Sequence, residues 1–154
     1  NKFPASHLRE LERKSQIPYS TLKYHLHFLA KHNILIEKTS NNNIIYYPKS
    51  IKSEDVQILS LLRQKNIRKI LLLLLASKSA TPKDIESLTQ LSPSTVNWYM
   101  SKLIKDKIIS KSNSNKTFYT LSYNKDALIK VLITYKESFL DNLVNKAVEM
   151  WDIR

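Results

Sequence analysis

The sequence predicts a mainly α fold with small β-hairpins. One helix–turn–helix–hairpin unit is used twice, with a short helix between the copies and a long helix after them. Three observations carry this. An internal repeat returns after 74 residues. Polar Asn/Ser turns fall at corresponding places in both copies, and two helix-start signals mark the second. An apolar pattern at helical spacing then fills residues 125–153.

The repeat aligns residues 19–35 with 93–109. Ser20 and Thr21 meet Ser94 and Thr95. Leu22/Val96, Leu26/Met100, Leu29/Leu103, Ile34/Ile108 and Leu35/Ile109 are apolar pairs. Upstream, Leu11-Glu12 matches Ile85-Glu86 and Ile17 matches Leu91, while a one-residue slip downstream sets Tyr46 over Tyr119. A supersecondary unit that recurs in this way is one structural module used again.

Each element follows from local signals. In the first copy, helices are expected at 6–14 and 19–32, and a hairpin pairs 34–39 with 44–47 around the polar residues 40–43. Residues 53–63 place Val56, Leu59, Leu61 and Leu62 on a helical face, with a break at 64–66. The run 67–76 is the first helix of the second copy. Thr81 is a good N-cap with Pro82 in the first turn, and Ser92-Pro93 repeats that signal. Val96, Tyr99, Met100, Leu103 and Ile104 then recur at helical spacing, followed by a hairpin of 108–111 with 117–121. The expected organisation is a first domain at 1–50, a linker helix at 51–66, a second domain at 67–123 and an amphipathic helix at 124–154. In the last, Leu128, Leu132, Tyr135, Phe139, Leu143, Ala147 and Trp151 form a stripe that needs cover. The expected cover is a second copy, giving a homodimer; folding back onto the same chain is the alternative.

Composition narrows function. Among 154 residues, 25 are Lys or Arg and 13 are Asp or Glu, a net charge of +12. There is no Cys, which excludes a disulfide scaffold, a Cys-ligated zinc and a thiol nucleophile. There is no Gly either, which excludes a P-loop and a Rossmann fingerprint. The apolar run 70–76 is too short to span a bilayer. The expectation is a cytoplasmic protein with no membrane contact from this segment; an anchor outside it stays open. All the net charge lies in 1–123, since 124–154 sums to zero. A basic surface attracts phosphate backbones, so double-stranded DNA is the expected partner.

A helix-turn-helix followed by a hairpin resembles the winged helix-turn-helix. Ser20-Thr-Leu-Lys-Tyr-His-Leu-His-Phe-Leu29 and Ser94-Thr-Val-Asn-Trp-Tyr-Met-Ser-Lys-Leu103 resemble the recognition helices of ArsR-like and related archaeal regulators. His7-Leu-Arg-Glu-Leu11 is similar to the helix that precedes them. The resemblance covers both copies and implies an archaeal type of transcription regulator with two tandem winged helix-turn-helix domains. Two departures stand out. Such families carry Gly between the recognition helix and the first wing strand, where this chain has Asn33 and Lys107. Asn tolerates the left-handed conformation, whereas Lys suggests a different second turn. The fold also needs a helix before the helix-turn-helix; in the first copy its equivalent would precede residue 1, unless 51–63 or a partner chain fills the gap.

The expected DNA contacts follow from the faces. On the first recognition helix, Leu22, His25, Leu26 and Leu29 point inward, leaving Ser20, Lys23, Tyr24, His27 and Lys31 outward. On the second, Ser94, Asn97, Trp98, Ser101, Lys102 and Lys105 point outward. Lys holds phosphate, Asn reads adenine, Ser bonds either base edge and an aromatic edge touches a thymine methyl. Asn42, Asn115 and Lys116 at the hairpin tips suit the backbone or minor groove. His25 is expected as a hydrogen-bonded core residue. The four His have no ligand spacing with a carboxylate, so neither a metal nor any other cofactor is expected. Acids gather at helix starts, where they favour the macrodipole, and no catalytic set is discernible, so no enzyme is expected. The competing functions are a winged-helix protein-interaction module, which the basic charge disfavours, and a plasmid replication initiator.

Overall fold

The computed structural model describes residues 5–40, 43–113, 116–136 and 139. The chain divides into two compact units, Asn1–Arg63 and Gln64–Arg154. The first contains β1 (Ser6–His7), α1 (Leu8–Ser15), α2 (Tyr19–Lys31), β2 (Leu35–Ser40), β3 (Asn43–Pro48) and α3 (Ser53–Leu62). The second contains α4 (Lys65–Ser77), β4 (Ser79–Ala80), α5 (Pro82–Thr89), α6 (Pro93–Lys105), β5 (Ile109–Asn113), β6 (Thr117–Leu121) and α7 (Lys125–Thr134). Each has a three-stranded antiparallel sheet, ordered β1-β3-β2 in one and β4-β6-β5 in the other.

The repeat holds at the level of the backbone. After α1, Gln16 turns left-handed at φ 58°, and after α5 Gln90 does the same at φ 58°. After α2, Asn33 has φ 60°, and after α6 Lys107 has φ 58°. Both later turns close alike. Asn33 N–H donates to the Ala30 carbonyl (3.0 Å) and Ile34 N–H to that of Leu29 (2.9 Å); Lys107 and Ile108 donate to Ile104 and Leu103, both at 2.9 Å. The turn expected to differ at Lys107 is therefore the same turn. Two satisfied amides hold a residue that lacks glycine's freedom there.

The helix starts differ between units. Thr81 and Asp84 form a capping box: the Thr81 amide donates to Asp84 Oδ2 (2.7 Å) and the Asp84 amide to Thr81 Oγ1 (3.3 Å). The donation from the Thr81 amide, and after it that from the Thr81 hydroxyl (2.7 Å), hold the Asp84 carboxyl below the usual carboxylate range. Ser92 caps α6 by accepting from the Thr95 amide, and Asn124 caps α7 by accepting from that of Ala127. Pro18 has no side chain to cap α2; Glu12 reaches across from α1 instead and accepts from the Tyr19 amide at 3.0 Å.

Hydrophobic burial builds each unit around its sheet. In the second, α4 packs on α5, β4 and β6, and Ile67, Ile70, Leu71, Ile85, Met100 and Leu103 are fully buried. In the first, Leu8, Leu22 and Tyr46 form a cluster backed by Leu11, Leu26, Leu35 and Ile44. α3 belongs to this unit, and Arg63 at its end lies 3.4 Å from Glu10 of α1. α3 and α7 are both ten-residue helices that follow a hairpin, so the repeat extends beyond the hairpins.

Several expectations are corrected. Ser6 and His7 do not open α1; they pair with Tyr46 and Ile45 of β3, and Ser79–Ala80 likewise pair with β6. The helix expected over 125–153 ends at Thr134, because Tyr135 leaves helical geometry at φ −113°, ψ 17°. Leu128 and Leu132 are fully buried, Phe139 is buried and Tyr135 half-buried. Phe139 is gripped by Arg68 of α4, whose Nη2 donates to its carbonyl (3.3 Å) while the guanidinium lies 5.4 Å from its ring centroid. Leu128, Leu132 and Phe139 are thus already buried within the single chain. Leu143, Ala147 and Trp151 lie outside the described residues. Among those described, no helix is long and apolar enough to cross a membrane.

Candidate nucleic-acid interface

α6 is held with one face in and one face out. Val96, Met100 and Leu103 are buried at three- and four-residue spacing. The opposite face carries Ser94, Asn97, Trp98, Ser101 and Lys105, all exposed. Lys102 is half-buried: its Nζ lies 5.4 Å from the centroid of the Trp98 ring, a cation–π distance. Trp98 is also edge-on to Tyr99, at 5.0 Å and 78°. No Asp or Glu occurs in α6, so nothing on the helix itself repels an anion. On the adjoining hairpin Lys111 and Lys116 are exposed, and Asn113 accepts from the Thr117 hydroxyl at 3.2 Å. Asn115 lies outside the described residues.

α2 has the same orientation and a different surface. Ser20, Lys23, Tyr24, His27 and Lys31 are exposed, as their spacing predicted. The inward side is less enclosed than in α6, with Leu22 buried but Leu26 and Leu29 half-buried. His25 is not a core residue. It lies at the edge of the inward arc, exposed, with its ring edge-on to Tyr24 at 5.4 Å and 74°. Asn42 lies outside the described residues.

The sequence reading missed two features of this surface. Phe28, the counterpart of Lys102, is 49% exposed and packs its ring against His32 at 4.2 Å. Glu37 of β2 lies opposite Tyr46, and Lys111 of β5 lies opposite Tyr119. The same register position therefore carries opposite charges in the two units. Glu37 Oε2 sits 3.3 Å from His27 Nδ1. Burial, then the charge of Glu37 and a hydrogen bond to it, push the Tyr46 phenol up to about 12. Tyr119 is raised by burial alone. The 74-residue offset already paired Glu37 with Lys111 and could have signalled the contrast. Among the described residues, no group of three or more His, Asp or Glu could hold a metal ion.

Comparison with known proteins identifies part of this architecture. Residues 63–110, from the end of α3 through α6 into β5, match the family model described as winged helix-turn-helix DNA-binding. The chain therefore contains a winged helix-turn-helix domain. It is also 34% identical over 130 residues to an HTH-type transcriptional regulator of Methanocaldococcus jannaschii, itself uncharacterised. That match covers 82% of this chain and 32% of the relative, so the chain spans about a third of the length of the curated relative it matches. No solved structure matches the chain.

Proposed function

We propose that the chain is a sequence-specific, double-stranded DNA-binding transcription regulator, with α6 as its principal reading helix. The observation that carries this is the outward face of α6: exposed Ser94, Asn97, Ser101 and Lys105, free of acid, within the segment that matches a winged helix-turn-helix. A helix of this width fits the major groove. Asn97 suits an adenine edge, Ser94 and Ser101 suit either base, and Lys102 and Lys105 hold the flanking phosphates. Lys111 and Lys116 extend the cationic surface along the hairpin. The first unit repeats the element order and the outward face, with Ser20, Lys23, Tyr24, His27 and Lys31 on α2. It serves as a second, tandem winged helix on the same duplex. Leu128, Leu132 and Phe139 are buried in the single chain, so this function is proposed without a dimer through them.

Fluorescence anisotropy with mixed genomic duplexes, titrated at several salt concentrations, tests the proposal. Submicromolar binding with a steep log–log salt slope is expected, and Lys102→Glu with Lys105→Glu should weaken binding on every sequence and flatten the slope. Affinity no better than the roughly 10⁻⁴–10⁻⁶ M non-specific range, or affinity indifferent to the two reversals, overturns it.

A further inference from the structure

α6 carries an indole where a reading helix has most use for hydrogen-bonding groups. Trp98 is 57% exposed, near the centre of the outward face, with Ser94, Ser101 and Lys105 around it. Its Nε1–H is a single donor with no acceptor, so it reads little of the donor–acceptor code. The rest of the ring is apolar. The apolar group that base pairs display in the major groove is the C5 methyl of thymine. Contacts with Lys102 and Tyr99 steady the ring in its outward position. Beside it, Asn97 offers an amide that matches the N6/N7 edge of adenine. The two neighbours suit the two halves of A·T pairs.

The internal repeat supplies an independent observation. The position equivalent to Trp98 in α2 is Tyr24, again exposed, at 68%. Of the residues around these two, Ser94 and Lys105 recur as Ser20 and Lys31, while Asn97, Ser101 and Lys102 become Lys23, His27 and Phe28. The outward aromatic recurs although three of its neighbours change. Phe28 enlarges the apolar surface next to Tyr24.

We propose that Trp98 and Tyr24 are specificity-determining residues that pack on thymine C5 methyls, so that the chain selects A·T runs whose methyls line the major groove. This rests on the DNA-binding function proposed above. The full chain is titrated against an A·T-rich duplex and the same duplex with every thymine replaced by deoxyuridine. Loss of a methyl should weaken binding about four-fold per contacted group, with the salt slope unchanged. Trp98→Ala should shrink the preference for thymine, Trp98→Phe should keep part of it, and Trp98→Ala with Tyr24→Ala should abolish it. A G·C duplex carrying 5-methylcytosine should bind more tightly than its unmethylated form. Equal affinity for thymine and uracil duplexes, or a preference that survives the double variant, overturns the proposal. Binding without methyl dependence leaves the DNA function standing and assigns the exposed rings to another partner. Failure to bind any duplex overturns both.

Discussion

Lys107 offers a direct test of how a chain without glycine closes its wing turn. The residue is held at φ 58°, in the left-handed region, by hydrogen bonds that the amides of residues 107 and 108 donate to the last turn of α6. For a residue with a Cβ this conformation costs about 1–2 kcal/mol. Glycine would remove that cost, but its greater freedom in the unfolded chain returns about 0.4–1 kcal/mol. The lysine charge near the C-terminus of α6 is itself favourable by roughly 0.3–1 kcal/mol. Alanine provides the control, because it loses the charge and keeps the backbone cost. Lys107→Gly should therefore exceed Lys107→Ala in stability by about 1 kcal/mol. In a unit of this size that is a shift of roughly 4–8 °C in midpoint. Thermal and urea unfolding followed by far-ultraviolet circular dichroism measures it. The Gly–Ala gap at Asn33, in the matching turn, should also exceed zero, but the gain of Gly over the native residue should be smaller there, because Asn already tolerates φ 60°. Equal stability of Lys107→Gly and Lys107→Ala would refute the argument, since the strain in the turn would then be no larger than the roughly 0.4–1 kcal/mol that glycine's freedom returns.

Four further outcomes are expected. Lys31→Glu and Lys105→Glu occupy matching positions; if both units grip one duplex, each lowers the salt slope by at least about 0.9, whereas a slope unmoved by Lys31→Glu removes α2 from the interface. Asp84 is held below the carboxylate range by its cap, so its contribution is complete above its unfolded value and is lost as pH falls through the folded one. Asp84→Asn should thus flatten the acid limb of stability below about pH 4, and an unaltered limb in pH-dependent unfolding would count against the capping box. Tyr46 is raised from 10.0 to about 12, so its contribution is complete below the lower value and lost as pH rises toward the upper; Tyr46→Phe should flatten that alkaline limb, as unfolding across the range would reveal. Met100→Ala, at a side chain only 1% exposed, should cost about 2–5 kcal/mol in urea unfolding, and a loss below 1 kcal/mol, on the order of a conservative core change, would contradict a close-packed second core.

The elements that were legible in the sequence are those whose signals are local. Thr81-Pro82 and Ser92-Pro93 announce helix starts within two residues, and the structure has α5 and α6 beginning there. Val96, Met100 and Leu103 define an inward face that needs no knowledge of what covers it. Ser6–His7 and Ser79–Ala80 were illegible because a two-residue strand is defined by its partner, here about 40 residues distant in sequence. The C-terminal stripe failed for a related reason. Periodicity says that Leu128, Leu132 and Phe139 require cover, but it does not say whose; the structure buries all three within the single chain, with Arg68 of α4 against Phe139. His25 stood at the margin of the inward arc, where spacing alone cannot choose a side, and an imidazole gains by staying hydrated when no buried partner waits for it.

The candidate site divides in the same way. Outward residues on α2 and α6 were legible from helical period, yet their couplings were not. Lys102 over Trp98 is a four-residue neighbour pair that the period permits without requiring. The Glu37–His27 contact joins a strand to a helix and depends on the hairpin register. That register has a consequence for function. Glu37 and Lys111 face corresponding tyrosines, so the frames of the two units coincide while the charge beside each outward helix is reversed. DNA against α6 would meet an added cation and DNA against α2 an anion, and a carboxylate near phosphate disfavours close approach. If both helices read DNA, the second unit therefore supplies the larger share of the electrostatic attraction. Lys111→Glu should then flatten the salt slope by more than Glu37→Lys steepens it; the larger change from Glu37→Lys would place α2 as the principal reader.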